Sequence, residues 1–153
     1  MRHRLAGLFF SLFLLLGVAQ ADTVVNWQLG YEVDVPATWL RQEGGANGTK
    51  LSSEDVRLDV VPFSGTSQAA EIARLHKDTK AQKYEFKTER SFTVHEVPAH
   101  EMIFYRDGRY LIYYVLMAGQ RGFLLTLRSE GTDSGAFQEA QDIITNFRVT
   151  PLR

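Results

Sequence analysis

YLIYYVLMAGQRGFLLTLRS, residues 110–129, decides the fold. It reads as two strands joined at Gly119-Gln120-Arg121-Gly122. The first strand is apolar on both pleat faces. Tyr110, Ile112, Tyr114 and Leu116 lie on one, Leu111, Tyr113, Val115 and Met117 on the other. Successive side chains of a strand point to opposite sides, so a strand apolar on both is covered on both. A central sheet with a layer on each face follows.

Working outward, Arg106-Asp107-Gly108-Arg109 sits immediately upstream. Asp-Gly between apolar runs marks a two-residue hairpin turn, because such turns need positive φ at both central positions. The preceding strand, 99–105, therefore pairs antiparallel with the central one, and residues 99–129 form a three-strand meander. Val97-Pro98 turns the chain into it. Residues 84–94 read as a peripheral strand with Phe86, Phe92 and Val94 on one face.

Further upstream, Tyr31, Val33 and Val35 alternate with Glu32 and Asp34 before Pro36, the pattern of a half-buried strand. A short strand at 24–29 precedes it. Residues 42–50 read as an exposed hairpin or loop, Leu51-Ser52-Ser53 as a strand, and 56–60 as another that closes at Pro62. Ser64-Gly65-Thr66-Ser67 offers helix-start residues. The helix runs from Gln68 to near Lys83, with Ala69, Ile72, Ala73 and His76 on its inner face and Leu75 beside them. Downstream, Gly131-Thr132-Asp133-Ser134 caps a second helix whose core stripe is Phe137, Ala140, Ile144 and Phe147. The fold class is α+β: an α/β/α sandwich with a central antiparallel sheet flanked by two helices.

The 153 residues fit one domain behind a targeting segment. Arg2, His3 and Arg4 precede an apolar run, and Ala19-Gln20-Ala21 fits the small-x-small cleavage rule. The run is shorter than the ~20 residues of a spanning helix. Residues 1–21 are thus read as a signal peptide and 22–153 as the mature domain, periplasmic or secreted, with no stable membrane insertion. The leader carries two arginines and no acid, so its loss takes the formal charge from −1 to −3. That acidity disfavours nucleic acid and an anionic membrane surface. With no cysteine, the chain makes no disulfide, thiolate metal site or thiol nucleophile.

Motifs for catalysis are weak. His95-Glu96-Val97-Pro98-Ala99-His100 is one residue too long for a zinc-protease pair, and Pro98 forbids the helix such a pair needs. Two loop-end histidines near solvent are the simpler reading, and His76 is read as a core-rim residue with a hydrogen-bond partner. Ser134 is read as a helix cap rather than a nucleophile. No catalytic, cofactor-binding or metal-ligating residue is assigned. The aromatic residues of the meander are read mainly as core. A candidate binding surface remains at Tyr105, Tyr110, Tyr113, Tyr114, Arg106 and Arg109, where a helix leaves part of the sheet uncovered. Arg121, at the other turn of the meander, belongs to the opposite end of the sheet.

The run Gly30-Tyr31-Glu32-Val33-Asp34-Val35-Pro36-Ala37-Thr38-Trp39, the Leu51-Ser52-Ser53 strand, a helix, a long meander and a closing helix ending at Ile143-Ile144-Thr145-Asn146-Phe147-Arg148-Val149 together resemble one family. It is the family of the PsbP subunit of the plant oxygen-evolving complex, the Mog-type Ran-binding proteins and the bacterial DcrB-like periplasmic proteins. The likeness covers essentially all of the mature chain, and the secreted bacterial branch is nearest in size and leader. It implies an α/β/α sandwich and an accessory or binding role beside an envelope protein partner, without shared catalytic residues. A small-ligand or lipid carrier with an aromatic groove is the alternative, and a hydrolase ranks third. The protein isolated from its host is expected to begin at Asp22 and to have the intact mass of 132 residues, which N-terminal sequencing and mass spectrometry check.

Overall fold

The computed structural model describes residues 20–63 and 67–152. Ten strands and two α-helices follow one another along the chain. They are β1 (Ala21–Asn26), β2 (Tyr31–Pro36), β3 (Leu40–Glu43), β4 (Thr49–Ser53), β5 (Val56–Phe63), α1 (Gln68–Ala81), β6 (Glu85–Val94), β7 (Val97–Arg106), β8 (Arg109–Ala118), β9 (Arg121–Ser129), α2 (Gly135–Thr145) and β10 (Arg148–Val149). A large sheet has the order β3-β4-β5-β9-β8-β7-β6 and a small one the order β1-β2-β10, with all pairs antiparallel. The fold is α+β. The leader expected from sequence lies outside the described residues, apart from Gln20 and Ala21. Cleavage after Ala21 would remove only the first pair of β1, Ala21 opposite Pro36.

The two apolar faces of β8 bury into two separate cores. Ile112, Tyr114 and Leu116 join a large cluster with Phe137, Ala140, Ile143 and Ile144 of α2, with Phe147, and with Tyr31, Val33 and Val35 of β2. Leu111 and Val115 join Leu75 of α1, Met102, Phe104 and Leu124. α1 thus contributes to one cluster, and α2 and the small sheet to the other. Tyr31, Phe123 and Phe147 form an aromatic trio with ring centroids 5.3–5.8 Å apart, tying the small sheet to the large one. The Tyr31 hydroxyl shares a hydrogen bond with Thr49 Oγ1, so the buried phenol is satisfied. Trp39 is buried and donates from Nε1 to Glu139 on α2, which gives the Pro36-to-Trp39 element its structural purpose.

Asp107 and Gly108 take φ of 52° and 80° between Arg106 and Arg109, as a two-residue hairpin requires. A second such turn has no glycine. His95 and Glu96 take φ of 45° and 67° between Val94 and Val97. The turn expected at Val97-Pro98 therefore falls two residues earlier. Pro98 sits inside β7, and the meander has four strands rather than three. Likewise β5 runs past Pro62 to Phe63, because the partner of Phe63 is Gly122, whose missing side chain leaves room for the phenyl ring.

Two helical and strand phases differ from expectation. The buried side of α1 is Glu71, Leu75 and Thr79, while Ala69 and Ala73 are exposed. Leu75 dominates the seating because an alanine sheds little surface. The polar neighbours that go in with it are internally satisfied: Glu71 pairs with Arg74, and Thr79 Oγ1 donates to Leu75 O at 2.8 Å. His76 does sit on the rim. In β6 the register shifts between Phe86 and Thr88. Phe86 then faces α1, opposite Phe104, and Phe92 faces α2, opposite Ala99. A bulge inserts one residue and so reverses the side to which later residues point.

Phe147→Ala is expected to lower unfolding free energy by about 3–5 kcal/mol, and Phe86→Ala, half exposed at the edge, by under about 1 kcal/mol. Urea denaturation of both variants checks the assignment.

Candidate functional site

Alternation along β8 divides the aromatic residues singled out in the sequence. Tyr113 faces α1, whereas Tyr110 and Tyr114 face α2. Tyr105 stands opposite Tyr110, with their ring centroids 5.0 Å apart. Arg106 and Arg109 flank the hairpin at one end of the sheet. Arg106 lies over the Tyr84 ring at 4.4 Å and donates to Gln82 O at 2.6 Å, and Arg109 approaches Glu130 at 3.6 Å. The six residues therefore do not form one surface. Arg121 is at the other end of the sheet, where it donates to Thr150 O at 2.8 Å.

Tyr110 and Tyr114 lie along a groove. α2 packs mainly over β2, β5 and β9, and hollows remain between it and the strands β6 and β7. Two adjoining hollows of about 340 and 260 Å³ occupy that gap and share Arg90, Glu101 and Gln141. Ile103, Ile112 and Phe137 wall the larger, and Phe92, Tyr114 and Ile144 the smaller. At the floor is Glu101, buried, accepting from Arg90 Nε at 2.8 Å. The Arg90 guanidinium caps it from solvent and rests over the Phe92 ring at 4.8 Å. Burial, together with the adjacent Glu101 carboxylate, pushes the Tyr114 phenol well above the usual tyrosine range. Tyr114 thus keeps its proton, and the Glu101 charge is matched by Arg90. Such a floor offers hydrogen bonds to a ligand head and apolar walls to its body, but no free base.

Neither Arg90 nor Glu101 was singled out by the sequence. They stand opposite each other across β6 and β7, yet that pairing follows only once the bulge is known. The bulge also sends Glu89 and Ser91 to the α1 side. Glu89 Oε2 accepts from Nε2 of His100 at 2.9 Å and of His76 at 3.1 Å, and Ser91 Oγ donates to His100 Nδ1 at 2.9 Å. One carboxylate so ties α1 to β6 and β7. His95 stays in its exposed turn, while His100 is turned into this network, so the two are not equivalent loop-end histidines. Among the described residues, no three His, Asp or Glu side chains are arranged to hold a metal ion. Ser134 is the cap of α2, accepting from Phe137 N at 3.1 Å.

No family model matches the chain, and no curated protein matches it in sequence. Solved structures do resemble it. Cyanobacterial PsbP (CyanoP) from Synechocystis sp. PCC 6803 is 15% identical, with a TM-score of 0.61 over 88% of this chain and 95% of that one. LpqN, involved in cell envelope biogenesis of Mycobacterium tuberculosis, is 12% identical, with a TM-score of 0.53 over 86% and 91%. PA94 from Pseudomonas aeruginosa, a protein of unknown function, is 10% identical, with a TM-score of 0.51 over 88% and 99%. The likeness is one of fold, and it agrees with the PsbP-like arrangement of elements.

The hydrogen bonds from His100 and then His76 hold the Glu89 carboxyl below its ordinary value of 4.5. A carboxyl depressed by folding contributes stability that is complete above its unfolded value and is lost as pH falls through the folded one. Glu89 is partly exposed, so Glu89→Gln is expected to lower stability near neutral pH by under about 1 kcal/mol. The gap to wild type should close as pH drops below 4.5, which urea midpoints across the acid range check.

Proposed function

We propose that the chain is a non-catalytic accessory module of the bacterial cell envelope, of the DcrB-like branch, that works by holding an envelope protein partner. The observation that carries this reading is the uncovered β6 side of the sheet. From Glu85 to Ser91 every residue of this ten-residue edge strand is exposed, and the groove floored by Glu101 opens beside it. An edge strand with free backbone groups is a surface on which another chain can pair. The fold shared with CyanoP and with LpqN, the latter a protein of envelope biogenesis, supports the assignment. So does the leader, whose cleavage after Ala21 would deliver residues 22–153 to the periplasm or beyond. Among the described residues no helix is long and apolar enough to cross a membrane. The layers are read as an α/β/α sandwich, with α1 on one face and α2, beside the small sheet, on the other. Nucleic acid and cofactors have no place in this reading.

The groove itself favours a second reading, a carrier for a small ligand or lipid. Its apolar walls close around a polar floor, the usual make-up of a small-molecule site.

Crosslinking in living cells, followed by native mass spectrometry of the protein from its own host, separates the two. A co-purifying polypeptide, lost when β6 is altered by Thr88→Pro, is the expected outcome. A bound small mass would favour the carrier, and a bare chain with no crosslink under any condition would overturn both.

A further inference from the structure

At the end of the sheet that carries the β7–β8 hairpin, arginines face arginines. Arg57 on β5 and Arg128 on β9 are directly opposite each other in register. They project from the face that α1 only partly covers. Arg106 and Arg109 are likewise opposite across the β7–β8 hairpin. All four line one depression of about 700 Å³, which Tyr84 and Leu111 help to close. Like charges directly opposite on neighbouring strands are destabilising. Two such pairs line one hollow, and Arg57 faces Arg128 there across neighbouring strands.

Four carboxylates, Glu54, Asp55, Asp107 and Glu130, share the hollow with the four arginines, so its formal charge is balanced and what matters is how each arginine is engaged. Asp107 and Glu130 stand 3.7 and 3.6 Å from Arg106 and Arg109, beyond good hydrogen-bond range. Asp55 is engaged in accepting from Glu130 N at 3.1 Å, and Glu54 sits in the exposed β4–β5 turn. Arg128 pairs with Asp59 at 3.1 Å. Arg57 has no ion pair or side-chain hydrogen bond among the described residues.

We propose that this depression binds a phosphate group, gripped between Arg57 and Arg128, with Arg106 and Arg109 at its mouth. The guanidinium fork matches a tetrahedral oxyanion bidentately, and such charge-assisted bonds are the strong ones. The phosphate could be that of a free soluble compound or of a lipid headgroup. The acidity of residues 22–153 disfavours a flat anionic surface, so the soluble source is the expected one. The site is separate from the groove beside α2 and does not depend on the partner reading.

Calorimetric titration of the purified protein with inorganic phosphate, against sodium chloride of equal ionic strength, tests it. Co-sedimentation with vesicles of phosphatidylglycerol and phosphatidylcholine forms the second arm. The expected result is saturable one-to-one phosphate binding, weakened at least about tenfold by Arg57→Ala and by Arg128→Ala and unchanged by Arg121→Ala at the far end of the sheet. Vesicle binding that needs Arg57, without binding of free phosphate, would assign the lipid headgroup as the source. No saturable binding in either arm, or equal binding by Arg57→Ala, overturns the proposal. Both arginines are exposed, so the variants are expected to fold, which circular dichroism confirms.

Discussion

Everything in this molecule answers to the two-sidedness of β8. A strand that is apolar on both faces cannot sit at an edge or lie against water. Ile112, Tyr114 and Leu116 demand one covering layer and Leu111 and Val115 another. The chain meets both demands by placing β8 third from one edge of a seven-stranded sheet, with α1 contributing to one cluster and α2 with the small sheet to the other. The positions of the openings follow from this. Each helix is only long enough to cover part of a sheet that wide, so each face keeps an exposed flank. The α2 flank became the groove over β6 and β7, and the α1 flank became the arginine-lined hollow near β5 and β9.

Much of this architecture can be read from local pattern. β8, β9, β2 and α2 announce themselves because their apolar periodicity is strong and their neighbours supply the turns. The Asp107-Gly108 hairpin is legible for the same reason. Where the reading failed, a local rule was overridden by packing or by geometry that leaves no compositional trace. His95 and Glu96 adopt positive φ without glycine, held by the long β6–β7 ladder on either side. α1 rolled about its axis because two alanines are a weak guide to a buried face, and because Glu71 and Thr79 carry their own hydrogen-bond partners inward.

The sites were less legible than the fold. The aromatic run 110–114 does mark the right strand, but strict alternation sends neighbouring tyrosines to opposite faces, and only Tyr110 and Tyr114 reach the groove. The polar floor depends on Arg90 standing opposite Glu101, and the histidine network on Glu89 pointing the other way. Both hinge on the single extra residue in β6, which a period-two reading of Phe86, Phe92 and Val94 passes over. Arg57 and Arg128 are 71 residues apart, so nothing short of the β5–β9 register brings them together.

The same β5–β9 pairing governs the order in which the molecule can assemble. β6 to β9 are joined by two-residue turns and can zip up locally. β3, β4 and β5 form their own hairpins, but they complete the sheet only against β9, across a long excursion through α1. Contacts so distant in sequence form late, because loop closure must come first. A chain made from its N-terminus onward therefore holds β5, with Val56, Leu58 and Val60, exposed until residue 129 has emerged. During that interval this stretch is the one most in need of a chaperone.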